Sequence, residues 1–271
     1  MVAGTDLRVR DVSEPRRAII RRQLGVFRDA MPPGFDLRNA SVGNLVLAGG
    51  YLLHGRRLDG VLPAFAQLVG ARGTVRPVVD EALHLVAAVE DADPVVGQAR
   101  ITRMTDPAHR IDDLFLSRST DPPAPYRPGI DADVDGLIRT SELICYPVGS
   151  FYTSLVASLL PAGVSDAIAS TSVPKVYVPN PGPDPEERGM SLVDKVETLL
   201  RYLSAGSSRP VAPERLLQSV MIDTRSSPVG SDTLRALARL GVEIIDLPLV
   251  STGSAHRLDP RLLTEAIVSL A

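Results

Sequence analysis

Leu143-Ile-Cys-Tyr146, Pro147-Val-Gly-Ser-Phe-Tyr-Thr-Ser154 and Leu155-Val-Ala-Ser-Leu-Leu160 follow one another without a break, and their succession decides how the chain reads. A short apolar run, a tight turn around a glycine and a segment of helical character make a strand, a loop and a helix start. That is the repeating joint of a parallel α/β sheet. Gly149 lets backbone come close to an anion, and amides at a helix start point outward without partners. Ser150, Thr153 and Ser154 supply hydroxyls. With Tyr152, four hydroxyl-bearing residues fall within five positions directly behind a buried strand, where α/β sheets place ligands. We read Gly149, Ser150, Tyr152, Thr153 and Ser154 as a candidate phosphate site.

The chain downstream repeats the joint. Pro161-Ala-Gly163 breaks the first helix, Val164–Thr171 turns once or twice more, and Lys175-Val-Tyr-Val-Pro-Asn180 reads as a buried strand ending on Asn180. Ser191 is placed to cap a helix over Leu192–Leu203. Leu216–Ile222 and Val242–Leu247 read as strands. They are separated by a helix over Ser231–Leu240 that Ser231 or Asp232 would cap, and Pro260–Leu270 closes the chain. Strands spaced by helices of this length mean a parallel sheet.

Upstream, Ile19, Ile20, Leu24 and Phe27 share one face of a helix whose other face carries Arg16, Arg17, Arg21 and Arg22. Met31-Pro-Pro-Gly34 ends it, so residues 1–35 form an N-terminal helix and connector, and 36–271 the main α/β domain. Asp36-Leu-Arg-Asn-Ala-Ser-Val-Gly-Asn44 then opens a second helix. Ser41 can cap it, Gly43 permits close approach, and the Asn44 amide can donate or accept, so these three form a second candidate anion site beside the reading as an ordinary N-cap. Leu58, Val61, Leu62, Phe65, Leu68 and Val69 are core-forming at helical spacing. Between 72 and 104, Thr74–Val79, His84–Glu90 and Val95–Thr102 suggest a small antiparallel excursion, and 105–130 is a Pro-rich connector.

At 271 residues and 44% hydrophobic content the chain can bury a large core. Its net charge of −3, with scattered arginines, argues against a nucleic-acid surface. No apolar run approaches membrane length and no signal-peptide pattern opens the chain, so a cytoplasmic protein without a membrane partner is expected. Cys145 is the sole cysteine, which excludes an internal disulfide, and its apolar setting suits a structural thiol. Asp131-Ala-Asp-Val-Asp-Gly-Leu-Ile-Arg-Thr-Ser-Glu142 matches a calcium-loop pattern, but it lacks the flanking helices. The competing reading is a short helix with acids at its start and Val134, Leu137 and Ile138 facing inward. His54, His84, His109 and His256 have no metal or triad spacing.

Ser41-Val-Gly-Asn44-Leu, Pro147–Ser154 and Pro174-Lys-Val-Tyr-Val-Pro-Asn180 together resemble the 2-phospho-L-lactate transferase (CofD-like) family. That family includes a gluconeogenesis-factor branch which binds nucleotide sugars. The wording from Asp36 to Leu52 and from Glu142 to Leu155 is most similar to the CofD-like branch found with ATP-grasp and kinase-like partners. The resemblance runs from about Asp36 to Leu203, with Leu258-Asp-Pro260 also fitting. It implies a Rossmann-like three-layer α/β/α sandwich with a mostly parallel sheet. The activity it implies is transfer of a phospholactyl-type group from a GDP-activated donor to a hydroxyl acceptor, a deazaflavin, with Mg2+. The alternative it implies is a regulatory protein that binds a nucleotide sugar without turnover. Carried onto this chain, it has Ser41, Gly43 and Asn44 hold the nucleotide or diphosphate and Gly149, Ser150, Tyr152, Thr153 and Ser154 line the phosphate side. Asn180 would lie nearby, and no catalytic residue or metal ligand is identified. Family members open with a strand, a Gly-Gly-Thr-Gly loop and an Asp-Asp-Gly-Gly-Ser-Ser segment, neither of which this chain has. The expectation is a truncated or inactive member whose open sheet edge pairs with another copy or a partner chain.

Overall fold

The structure, a computed structural model, describes residues 12–38, 40–104, 110–250 and 257–271, and these fall into two compact units divided between Glu81 and Ala82. His109 and His256 lie outside the described residues.

The first unit holds α1 (Glu14–Ala30), α2 (Val42–Leu53) and α3 (Leu62–Val69). The arginine face of α1 is largely solvated while Leu24 is buried, as the periodicity predicts. Helices α1 and α2 approach closely because Gly49 and Gly50 remove the side chains between them. A Cβ on Gly49 would stand 1.8 Å from the Gln23 carbonyl oxygen.

The second unit opens with β1 (His84–Val89), β2 (Ala92–Val96), the single-turn α4 (Gln98–Ile101) and β3 (Ile111–Ser117). The three strands form an antiparallel sheet in the order β2-β1-β3. Two boundaries differ from expectation. Thr74–Val79 forms no strand, and the third strand is β3, inside the stretch read as a Pro-rich connector. Its alternation was masked by Asp112 and Asp113 and by the flanking prolines, yet Leu114 and Ser117 are buried. The run Val95–Thr102 is cut at Gly97, whose φ of +99° turns β2 into α4.

The main sheet is β4 (Ile144–Tyr146), β5 (Lys175–Tyr177), β6 (Ser219–Ile222) and β7 (Glu243–Asp246), all parallel and in sequence order. Interleaved with it are α5 (Ala132–Arg139), α6 (Val164–Ser170), α7 (Leu192–Gly206), α8 (Ser231–Arg239) and α9 (Pro260–Val268). Alternation along the strands splits the core into two layers. Val176, Val178 and Met221 pack with Leu249 and with Ala266 of α9 on one face. Tyr146, Tyr177 and Val220, which share a register, point to the other, where Phe151 meets the Tyr177 ring edge-on. Helices α6, α7 and α8 lie side by side and α8 rests against β7, which completes a Rossmann-like three-layer α/β/α arrangement. Burial pushes the Cys145 thiol up to about 11, in keeping with a structural role.

Local capping explains several boundaries. Ser191 and Asp194 form a reciprocal capping box at the start of α7. At α8 the cap residue is Gly230 and no side chain caps the helix; Asp232 pairs instead with Arg235 one turn on. The calcium-like stretch is α5. Asp131 accepts from the Val134 amide at 2.8 Å and Asp135 pairs with Arg139 at 2.6 Å. Val134 is buried, but Leu137 is 45% exposed and does not face inward.

Candidate functional site

The loops that leave the carboxyl ends of β4, β5, β6 and β7 meet at one edge of the main sheet, the edge at which α/β folds bind ligands. Gly149 and Asn180 are brought together there. The Gly149 amide donates to Asn180 Oδ1 at 3.1 Å, and Asn180 Nδ2 donates to the Gly149 carbonyl at 2.7 Å. Asn180 Nδ2 also reaches Asp184 Oδ2 at 3.3 Å. Asn180 therefore ties the loop after β4 to the loop after β5 with both ends of its amide. Gly149 sits at φ +147°, where a side chain would strain the backbone, while a Cβ there would meet only ordinary contact.

Residues 151–155 form one π-helical turn, followed by a 3-10 turn over Val156–Leu159. The amides that open it are engaged within the protein. Phe151 donates to Asp184 Oδ2 at 3.1 Å, and Tyr152 and Thr153 donate to Glu186 Oε2 at 2.9 and 2.8 Å. The other oxygen of Glu186 accepts from the Thr153 hydroxyl at 2.6 Å and from the Thr102 hydroxyl at 2.7 Å. Tyr152 and Thr153 are buried and face inward, whereas the Ser154 side is exposed and Ser150 half-buried. Among the described residues the Ser150 and Ser154 hydroxyls have no protein partner, so they are the loop's available donors.

Residues that sequence reasoning missed complete this edge. Glu187 pairs with Lys195 at 2.5 Å with both largely buried; burial raises the Glu187 carboxyl above its ordinary range, and Lys195 opposes that. Asp223, almost fully buried after β6, accepts from Arg225 and from the Leu249 and Val250 amides. The Arg225 guanidinium is the main cause holding its carboxyl well below the usual range. Asp246 accepts the Thr224 amide at 2.9 Å and its hydroxyl at 2.5 Å. A cavity of about 140 Å³ lies against Asn180, Lys195, Asp223 and Ser226. The rule that sites follow strand ends could have flagged Ile222-Asp-Thr-Arg-Ser, and so could the hydroxyls of Thr224, Ser226 and Ser227 with Gly230 just beyond them.

Ser41, Gly43 and Asn44 belong to the first unit. Ser41 is the N-cap of α2, its hydroxyl accepting from the Asn44 amide at 3.0 Å. The Asn44 side chain is exposed, and no protein atom lies closer than 3.6 Å to a Cβ placed on Gly43.

A magnesium cage of protein carboxylates does not fit these residues. Among the described residues no three His, Cys, Asp or Glu side chains converge, and the acids of the sheet edge are spent on protein donors. No described helix is long and apolar enough to cross a membrane.

Residues 9–250 match the family model described as "2-phospho-L-lactate transferase CofD". A gluconeogenesis factor of Halalkalibacterium halodurans is 28% identical over 182 residues, covering 67% of this chain and 53% of the relative. One of Bacillus subtilis is 26% identical over 227 residues, covering 81% and 68%. Three of the curated relatives are matched over 60%, 49% and 53% of their length, so the chain spans little more than half of them. The crystal structure of a UPF0052-family protein from Bacillus halodurans superposes with a TM-score of 0.66 at 21% identity, over 94% of this chain and 83% of that one.

Proposed function

Because the chain belongs to the 2-phospho-L-lactate transferase CofD family, we propose that it binds the diphosphate of a nucleotide ligand at the carboxyl edge of its parallel sheet. The observation that carries this reading is the Gly149–Asn180 amide pair, which holds two strand-end loops together beside the unpartnered hydroxyls of Ser150 and Ser154. Gly149 gives the backbone close approach, and the two serines donate to phosphate oxygens. Tyr152 and Thr153 act by fixing the loop's shape, and Asn180 by positioning it. In the first unit the same reading assigns nucleotide contact to Ser41, Gly43 and Asn44.

The reaction this site would serve is transfer of a phospholactyl-type group from a GDP-activated donor. The acceptor hydroxyl attacks the donor's phospholactyl phosphorus, GMP leaves, and the hydroxyl proton is released. Mg2+, where it takes part, would neutralise diphosphate charge. The second reading, binding of a nucleotide sugar without turnover, draws on the relatives named gluconeogenesis factors. Self-association at the edge of β4 that no other described strand covers, beside the exposed Leu137 and Val148, accompanies either reading and is measured by light scattering.

The test is direct. The transferase reading expects Mg2+-dependent GMP release from the activated donor, reduced at least about tenfold in Ser150→Ala/Ser154→Ala. The second expects UDP-sugars to raise the melting temperature with no product formed. If neither nucleotide class shifts melting or reacts, the assignment of this edge to nucleotide is wrong.

A further inference from the structure

The opposite edge of the same sheet holds a larger and chemically different cleft. Arg139 precedes β4, Ala169 and Ser170 precede β5, and the segment 208–215 precedes β6; together they line a cavity of about 650 Å³. That volume lies within the roughly 300–1,000 Å³ of small-molecule sites.

The electrostatics of this cleft follow from how α6 ends. A helix C-terminus presents unpaired carbonyls and partial negative charge, which repel anions. Here those carbonyls are covered. The Ser170 hydroxyl donates to Ala167 O at 2.6 Å, the Thr171 hydroxyl donates to Ile168 O at 3.0 Å, and Arg215 Nε donates to Ala169 O at 2.9 Å. Beneath them Lys175, 1% exposed, donates to the Thr171 and Val173 carbonyls at 3.1 and 3.0 Å and has no carboxylate partner among the described residues. Arg139 gives one nitrogen to Asp135, and Arg209 is exposed with no partner among the described residues. Asp166 is the one acid in the lining, and its Oδ1 is occupied by the Ser208 amide at 2.9 Å. Three arginines, Arg139, Arg209 and Arg215, thus line the cleft with one carboxylate, Asp166, while Lys175 lies behind it and Asp135 and the exposed Glu214 stand outside the lining. Pro210, Val211 and Ala212 supply an apolar wall beside them.

We infer that this cleft is a second ligand site, for a small phosphorylated organic anion. Its phosphate is held by the Arg139, Arg209 and Arg215 guanidinia, and its organic part lies on Pro210–Ala212. Guanidinium forks suit phosphate oxygens, and a cleft at the amino ends of the strands is separate in the fold from the carboxyl-edge loops. A ligand here would contact α6 and the segment leading into β6.

Inorganic pyrophosphate is the probe, titrated into the full 271-residue chain and followed by NMR. It is expected to shift the amides of Ser208, Arg209 and Val211 and the side-chain Nε resonances of Arg139, Arg209 and Arg215. In Arg139→Ala/Arg209→Ala those shifts require at least about tenfold more ligand. The paired arginine carries only an exposed i,i+4 bridge, so the variant's melting temperature should stay near the wild type. Arg209→Ala alone is the back-up and is expected to weaken the same shifts. Pyrophosphate that leaves these resonances unmoved at millimolar concentration, or moves them equally in wild type and variants, overturns the inference.

Discussion

Replacing Glu186 by alanine tests whether the 151–155 turn is held by its own carboxylate. One oxygen of Glu186 accepts the Tyr152 and Thr153 amides at 2.9 and 2.8 Å, and the other accepts the Thr153 and Thr102 hydroxyls at 2.6 and 2.7 Å. Tyr152, Thr153 and Glu186 are all buried, so deletion leaves two amides without acceptors and no room for ready solvation. At about 1–3 kcal/mol for each stranded buried donor, less whatever a pair of rotatable hydroxyls recovers by bonding each other across 3.5 Å, the loss is about 3–5 kcal/mol. Glu186→Gln keeps an oxygen for the amides and turns a nitrogen toward the hydroxyls, which can rotate to accept, so it should cost only about 1–2 kcal/mol. Urea unfolding followed by tyrosine fluorescence reads both, since Tyr152 lies in the affected turn. A loss below about 1 kcal/mol in Glu186→Ala would refute the reasoning, because it would mean that the amides find water or other partners at little cost.

Two further outcomes follow from packing and charge. Gly49→Ala forces a Cβ to within 1.8 Å of a backbone oxygen in α1 and should destabilise the first unit by about 3 kcal/mol or more. Gly43→Ala in the same helix, with 3.6 Å of clearance, should be neutral or stabilise by up to about 1 kcal/mol; equal urea midpoints for the two would contradict the packing. Asp223 has a folded-state carboxyl held low by Arg225, so its stabilisation is complete above the unfolded value of about 3.9 and is lost as pH falls toward the folded value. Asp223→Asn should therefore lose about 2–4 kcal/mol at pH 7, and its deficit against wild type should shrink below about pH 4. A deficit independent of pH would exclude the ionised pairing as its source.

Most of the main sheet was legible because its signals were local. Leu143–Tyr146 and Lys175–Tyr177 are short apolar runs next to turn residues, and Ser191 carries its acidic partner three positions on. What was not legible depends on contacts far along the chain. Strand β3 carries two exposed acids and becomes a strand only by pairing along the length of β1. Leu137 fits an inward helical stripe by spacing, but it lines a cleft beside β4, whose outer side no other described strand pairs with, and it stays exposed. The same limit applies at the site. Gly149 and Ser150 announced an anion loop, but nothing near them showed that Asp184 and Glu186, over thirty positions away, take the amides. Asn180 was found because the apolar run of β5 leads into it, although the strand itself stops at Tyr177 and the bond to Gly149 is not a sequence signal.

The loops at the carboxyl edge of the sheet carry buried acids, and the cleft at the amino edge is lined by arginines. At the carboxyl edge Asp184, Glu186, Glu187, Asp223 and Asp246 stand against Lys195 and Arg225 among the residues described above. Burial is the main cause raising the Glu187 carboxyl, and the charge of Asp184 adds to it. At the amino edge burial is the main cause lowering the Lys175 ammonium, and the charge of Arg215 adds to it. Burial thus leads both shifts, and the lining of the amino-edge cleft is cationic although Glu142, Glu214 and Glu243 lie at the same ends of their strands. A diphosphate held by Ser150 and Ser154 would stand near the carboxyl-edge acids, so its binding there is expected to depend on a divalent cation carried by the diphosphate itself. A free phosphorylated anion has no such dependence at Arg139, Arg209 and Arg215. Nucleotide affinity at the carboxyl edge is therefore expected to rise with Mg2+ and anion affinity at the amino edge to fall with it, because Mg2+ competes for the phosphate; calorimetric titration with and without Mg2+ checks both, and equal affinities would contradict the assignment.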